Sequence, residues 1–484
     1  MAPTRPSSTK RRRTDASHQN PLIKRPKWTS SVTPGLIALS RPPTQRLNIY
    51  VVGANSGGEL GLGPDVKSGT IGKPRLNPYL SGVVVQVSLG AMHGVALTAD
   101  NRILTWGVND HGALGRDTTW AGNFVDVDDA DSEDDDGAQL NPHECVPRPV
   151  DMSLAPAGTM FTQVAATDNA TFVLTSSGFV YGWGTFRSED GKLSFSPTVS
   201  VQSRPVLIPN LKNVTKLCCG SNHVLALTSD NLIYTWGRGT EGQLGRRFSK
   251  RVVNWIKEGL IPRPVAMLRN IIDIGSGASH SFAVHRLGHL YAWGFNNAGQ
   301  TGVLHSSADK THDPDDWDIT VPVPRLVTTL PAVDARGIGI GIGIKSITGG
   351  NFHTLALTHD GRCFSWGRLY SFATGHTLSR LPPELVALDS RCKPSSLLVP
   401  RAVDSGAFQD GVVVAQVSAA SEHNLAVGTD GKVYTWGLSL TKQIGQKGDE
   451  VKVPTLLAHP SVVEKRFVWV GTGAQFSMFG EAVG

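Results

Sequence analysis

Apolar and polar positions along residues 83–436 fall into one alternation that recurs six times. The segments read HGVALTADNRILTWG, ATFVLTSSGFVYGWG, HVLALTSDNLIYTWG, HSFAVHRLGHLYAWG, HTLALTHDGRCFSWG and HNLAVGTDGKVYTWG. Each holds two short apolar runs about a turn of Ser, Asp, Asn or Gly, the pattern of a β-hairpin. A Trp-Gly dipeptide closes every segment, at Trp106, Trp183, Trp236, Trp293, Trp366 and Trp436. Thirteen residues earlier stand His93, Ala170, His223, His280, His353 and His423. The spacing does not drift, so these are copies of one unit.

A further apolar run precedes each hairpin, as at residues 83–88, 214–218 and 413–417. A proline segment follows most copies: Pro147-Arg148-Pro149-Val150, Arg204-Pro205-Val206, Pro262-Arg263-Pro264-Val265, Pro324-Arg325-Leu326-Val327 and Pro400-Arg401-Ala402-Val403. Proline cannot donate to a ladder, so this fourth strand is expected on an outer edge. Four antiparallel strands make a propeller blade. A seventh copy is divided between the ends. Asn48-Ile49-Tyr50-Val51-Val52-Gly53 matches the strand that ends in Trp-Gly, with Val52 in the Trp slot, and Phe476 falls in the His slot near the C-terminus. The expectation is an all-β, seven-bladed β-propeller of four-stranded blades over residues 47–484, closed by a blade shared between N- and C-terminal segments. Seven units in 438 residues give about 63 each, longer than the ~40–45 of WD-type blades, and no Trp-Asp signature recurs.

Charge divides the chain differently. Residues 1–46 carry ten Lys or Arg against Asp15 alone, a surplus of nine, and the other 438 residues hold 36 basic and 39 acidic side chains. This first segment is rich in Pro, Ser and Thr without apolar periodicity, so a disordered basic N-terminal tail is expected. Its clusters Lys10-Arg11-Arg12-Arg13 and Lys24-Arg25-Pro26-Lys27 suit an import receptor, nucleic-acid phosphates, or both. No apolar run approaches the roughly 20 residues of a membrane span, and the polar, basic start is not that of a secretory signal. Five cysteines without C-x-x-C spacing give neither a disulfide framework nor a zinc site.

Local chemistry is sparse. There is no P-loop, G-x-S-x-G elbow, H-E-x-x-H or zinc-ligand spacing, so no metal, cofactor or catalytic nucleophile is expected. Five equivalent histidines in separate blades cannot serve one active site, and hydrogen-bonded scaffold roles are expected for them. Gly237-Arg238-Gly239-Thr240-Glu241-Gly242 fits G-x-G-x-x-G but lacks a following helix, so it reads as one of the turns that also include Gly58-Glu59-Leu60-Gly61 and Gly112-Ala113-Leu114-Gly115. The departures from the repeat are more telling. After Trp183 the Gly-x-Leu-Gly turn is replaced by residues 185–195, TFRSEDGKLSF, which read as a protruding hairpin about Asp190-Gly191. A basic cluster, Arg246-Arg247-Phe248-Ser249-Lys250-Arg251, follows Gly245. Residues 126–136 hold eight acidic side chains in eleven, a solvated insert able to shield the basic tail. A long connection after Trp293 carries Asp313, Asp315, Asp316 and Asp318.

The seven-fold unit, the split blade, the basic tail and the TFRSEDGKLSF segment resemble the regulator of chromosome condensation family, the guanine-nucleotide exchange factors of the small GTPase Ran. The resemblance implies a nuclear, chromatin-bound exchange factor without covalent chemistry. It assigns Phe186, Arg187, Ser188, Glu189, Asp190, Gly191, Lys192 and Leu193 to the family's β-wedge, which enters the GTPase near its nucleotide. It sets Asp168, Asn169, Asn222 and His353 on loops of the GTPase-facing side; Asn222 stands where the family often has Asp, and Ala170 replaces the repeat histidine. On the opposite face it implies nucleosome binding, with Lys250 and Arg251 of the loop 246–253 on the histone acidic patch and Lys10, Arg11, Arg12, Arg13, Lys24, Arg25 and Lys27 on DNA phosphates, without base readout. The family's second DNA loop is shortened around Leu268-Arg269-Asn270. Related propellers also serve as scaffolds, so a non-exchanging nuclear scaffold stands as the alternative.

Overall fold

The computed structural model describes residues 38–67, 69–121, 139–188, 190–248, 255–304, 320–330, 343–403, 408 and 412–484. Within them the alternating runs pair as antiparallel strands in seven radial blades, six of which carry Trp106, Trp183, Trp236, Trp293, Trp366 and Trp436 and are numbered here blades 1 to 6. Blade 3 shows the plan. Val214–Cys219 runs innermost, then His223–Thr228, Ile233–Gly237 and, at the rim, Arg263–Pro264. His223 lies opposite Gly237 and Val224 opposite Trp236, the same register that sets His93 opposite Gly107 in blade 1. The glycine after each Trp is required there: Gly107 has φ of 93°, and a Cβ on it would stand 2.3 Å from the Met92 carbonyl oxygen.

Blade 7 takes Phe467–Thr472 and Phe476–Ala482 from the C-terminal end and Leu47–Ala54 and Thr70–Leu76 from the N-terminal end. Leu47 to Gly53 pair without a break with Ala482 to Phe476, so the ring is fastened by backbone bonds between strands from its two ends. The proline-bearing strands lie at the rim as expected. Blade 5 departs from the four-strand plan, because Val386–Leu388 covers its outer strand Pro394–Ala402. The tail boundary also moves inward. Leu39 donates its N–H to the Ser176 carbonyl at 2.7 Å, and Ser40 bonds Thr162 at 3.0 Å, so residues 38–46 form a strap that meets blade 2. The acidic insert 126–136 and the aspartates at 313–318 lie outside the described residues.

The core sits between blades rather than inside them, since a four-stranded sheet must bury both faces against its neighbours. All six tryptophans are at most 2 % exposed. The indoles of Trp183, Trp293, Trp366 and Trp436 close a repeated polar bolt. In blade 4, Trp293 Nε1 donates to the Gln243 carbonyl of blade 3 at 2.9 Å, and Ser281 Oγ donates to the same carbonyl at 2.9 Å. Ser281 Oγ in turn accepts from His223 Nε2 of blade 3 at 2.8 Å. The joint between blades 1 and 2 repeats this with His93, Thr171, Trp183 and the Ala113 carbonyl. Blades 4 and 5 use His280, Thr354, Trp366 and Gln300, while blades 5 and 6 use His353, Asn424, Trp436 and Ala373. The Gly-x-Leu-Gly turn, and its counterparts Gly299-Gln300-Thr301-Gly302 and Phe372-Ala373-Thr374-Gly375, thus present their second carbonyl as a socket for the next blade's Trp. The scaffold role expected for the histidines is what the structure shows.

Candidate functional site

At the end of the channel where each blade's first strand turns into its second, seven turns of small residues surround a mouth of about 130 Å³. Backbone bonds link four of them in series: Asp168 N–H to the Ser221 carbonyl at 2.9 Å, Ser221 to Ala278 at 3.0 Å, Ala278 to Gly350 at 3.0 Å. Asp168 is the acidic residue of this lining. Burial pushes its carboxyl up to about 6, with the Ser221 hydroxyl drawing it the other way.

The segment after Trp183 leaves the sheet at this same end. Phe186–Arg187 pairs with Leu193–Ser194 in a separate two-stranded ribbon, Phe186 opposite Ser194 and Arg187 opposite Leu193. The turn is held by Ser188 N–H on the Lys192 carbonyl at 2.9 Å and Gly191 N–H on the Ser188 carbonyl at 3.1 Å. Lys192 Nζ meets Asp190 at 2.5 Å on the exposed tip. That cation and the Ser188 hydroxyl hold the Asp190 carboxyl down at about 2. The expected protruding hairpin is therefore present, with Arg187, Asp190, Gly191 and Lys192 exposed.

Two of the face-loop residues grip the base of this hairpin. Asn222 Oδ1 accepts the Arg187 N–H at 2.7 Å, and the Asn169 carbonyl accepts the Thr185 N–H at 3.0 Å. Asp168 and Asn169 belong to the turn beside them, so the structure brings Asp168, Asn169, Asn222 and the hairpin together. Two assignments need correction. Phe186 is 2 % exposed and roots the hairpin in the core instead of meeting a partner. His353 is 1 % exposed with Nε2 on Asn424 at 2.7 Å, so it bolts blades 5 and 6 together and cannot touch a partner. Glu189, Lys250, Arg251 and the tail residues Lys10, Arg11, Arg12, Arg13, Lys24, Arg25 and Lys27 lie outside the described residues.

Residues 249–254 of the basic loop lie outside the described residues. Its described flanks spring from the end of Ile233–Gly237, level with the hairpin, and the helix Trp255–Gly259 brings the chain back. Phe248, Ile256 and Leu260 share with Phe186, Arg187 and Asp190 one cavity of about 220 Å³. The described flanks thus stand beside the hairpin, and the turn at Arg269 and the docked Leu39 lie at the other end of the strands. Arg246 is structural: its guanidinium donates to the carbonyls of Thr235, Gly259 and Ile261 at 3.1 to 3.2 Å.

Sequence reasoning missed the residues that seat the hairpin. Phe172, Phe186 and Phe195 stack with ring centroids 6.1 to 6.4 Å apart, and Trp236 meets Phe172 edge-on at 5.6 Å. The signal was available as two phenylalanines flanking the hairpin in the copy that lacks the repeat histidine.

Comparison with known proteins agrees with this geometry. The model of the RCC1-like domain matches residues 48–479. Protein pim1 of Schizosaccharomyces pombe is 37% identical over 442 residues, covering 90% of this chain and 75% of pim1. The guanine nucleotide exchange factor SRM1 of Saccharomyces cerevisiae is 34% identical over 449 residues, with 90% and 87% covered. The crystal structure of Prp20p from Saccharomyces cerevisiae, described with its binding properties to Gsp1p and histones, superposes with a TM-score of 0.76 at 31% identity, covering 90% of this chain and 92% of that one. A second structure, of Kap60 bound to yeast RCC1 (Prp20), gives 0.77 at 30% identity, with 96% of each covered.

Proposed function

This chain belongs to the RCC1-like domain family, and from that premise we propose that it is the guanine-nucleotide exchange factor of the small GTPase Ran, working on chromatin in the nucleus. The hairpin at the channel mouth carries the reading: it is a rigidly rooted, exposed projection beside a desolvated carboxylate, which a plain scaffold does not need. The relatives named as exchange factors and the yeast protein's binding to Gsp1p and histones support it.

The mechanism is differential binding. The face with Asp168, Asn169 and the hairpin residues Arg187, Ser188, Glu189, Asp190, Lys192 and Leu193 holds nucleotide-free Ran more tightly than nucleotide-bound Ran. By reciprocity it weakens Ran's hold on GDP or GTP by the same factor. The chain breaks no covalent bond, and the cellular nucleotide ratio sets the direction. Lys250 and Arg251 meet the histone acidic patch, and the tail clusters meet DNA phosphates, a contact that weakens steeply with salt. An import receptor engages the same tail, in keeping with Kap60 bound to the yeast relative. Residues 1–37 then hold the basic clusters and 38–484 the propeller with its strap.

Release of a fluorescent GDP from purified Ran tests the proposal. Substoichiometric protein should accelerate release, and replacing residues 187–193 by a short Gly/Ser turn should remove at least about a hundredfold of that acceleration while the thermal midpoint stays put. A folded protein that gives no acceleration would leave a nuclear propeller scaffold.

A further inference from the structure

The joint between blades 2 and 3, where the hairpin arises, is built unlike its neighbours. The histidine slot holds Ala170, and the slot that supplies Ser281 or Thr354 elsewhere holds Val224. The Gly-x-Leu-Gly socket is replaced by the hairpin itself. Trp236 Nε1 accordingly finds no carbonyl among the described residues, whereas the indoles of Trp106, Trp183, Trp293, Trp366 and Trp436 each find one. In place of the bolt stands a plug of Phe172, Phe186, Phe195 and Trp236, with Leu217, Val224 and Leu260 packed around it. The joint that lost all three polar members is the one the hairpin enters.

Both strands of the hairpin end in this plug, Phe186 at the start of one and Phe195 just past the end of the other, 2 % and 6 % exposed. The two rings lie 7° from parallel, 6.3 Å apart. A two-residue ribbon has too few backbone bonds to hold a direction by itself. Its outer strand is caught once more by Asn222 Oδ1 on the Arg187 N–H at 2.7 Å. The Asn222 carbonyl also accepts the Arg238 N–H at 2.7 Å, so the side chain that reaches the hairpin is itself fixed to blade 3. We infer that Phe195 and Asn222 are positioning residues for exchange, setting the angle at which the exposed tip meets the GTPase, through a ring clamp from one blade joint and a single acceptor from the next turn. The inference rests on the exchange reading above. Phe195 is buried and Asn222 spends its side-chain oxygen on the hairpin, so on this inference both act on the step after docking.

The test is steady-state GDP release from Ran by the full chain and its variants, with hydrogen exchange followed across residues 186–195. Phe195→Ala and Asn222→Ala should each lower kcat about tenfold or more with KM changed less than about twofold, because the tip is present but misaimed. Amide protection should fall at Arg187 and Ser188 and stay at Val224 and Trp236. Asn222→Asp keeps an oxygen acceptor for the Arg187 N–H and should restore kcat; equal loss in the Ala and Asp variants would overturn the role of Asn222. If Phe195→Ala does not fold, Phe195→Leu keeps apolar volume without a flat ring and should still lower kcat alone. Parental kcat in the Phe195 variants, while the variant lacking residues 187–193 is inactive, would sink the clamp and leave the exchange reading standing. Parental exchange without residues 187–193 would remove both.

Discussion

Blade 3 closes against one neighbour with the histidine bolt and against the other with a ring plug in the bolt's place. Toward blade 4 it offers His223 and the Gln243 carbonyl, directional groups that fix one register. Toward blade 2 it offers Trp236 and Val224, which pack on Phe172, Phe186 and Phe195 without a polar partner. Buried polar bonds contribute little net stability but are costly to leave unmade, so a bolted joint tolerates only its own geometry. An apolar joint accepts any insertion that fills its volume. The propeller thus carries its projecting hairpin at the joint that lacks the histidine, hydroxyl and indole bolt.

The largest expected contrast between the two kinds of joint is with acid. In the bolts of His93, His223 and His280 the hydroxyls of Thr171, Ser281 and Thr354 donate onward to carbonyls, so each of these histidines donates from Nε2. Nδ1 of His223, His280 and His423 has no partner among the described residues. Burial first of all lowers His93 and His353 to about 4 and His223, His280 and His423 to about 3. The unfolded chain takes up these protons near the ordinary value of 6.5, so the stabilisation is whole above that pH and is lost progressively as pH falls toward 4 and 3. Each histidine contributes a slope of about 1.4 kcal/mol per pH unit in that window. Urea midpoints should fall steeply below about pH 6, and His280→Gln, which cannot take the proton, should flatten the slope by one histidine's share. An unaltered slope would show that His280 does not titrate on unfolding.

A smaller effect separates the tryptophans directly. Trp366→Phe removes a 2.8 Å bond to the Gln300 carbonyl as well as ring volume, and Trp236→Phe removes volume alone. The first should cost about 1 kcal/mol more than the second by chemical denaturation. Equal costs would mean that the bolt's indole bond adds nothing net.

A separate pH effect lies at the apolar joint's own carboxylate. Burial raises Asp168 to about 6 against an ordinary 3.8, so the folded state holds its proton over that interval. Stability from this group is therefore highest below about pH 4 and declines as pH rises through 6, opposite in sign to the histidines. Asp168→Asn should raise the thermal midpoint at pH 7.5 and have less effect at pH 5; a gain independent of pH would place its cause elsewhere.

The alternation of apolar runs, the thirteen-residue spacing and the prolines were enough to establish blade count, strand order within a blade and the split seventh blade, because each depends on residues close in sequence. The hairpin about Asp190-Gly191 was legible for the same reason. The pairing of His223 with Ser281, or His353 with Asn424, joins residues 58 and 71 positions apart and leaves no local mark. His353 looked like a face residue because its turn reaches the mouth, and only the neighbouring blade shows that its ring is covered. Ala170, Val224 and the missing Gly-x-Leu-Gly turn stood in the sequence as three unrelated departures. Ring closure brings them into one joint, where the loss of donor, relay and socket together leaves room for two phenylalanines and the hairpin they hold. The periodicity of a single blade is a property of the local chain; what one blade offers the next is decided only when the ring closes.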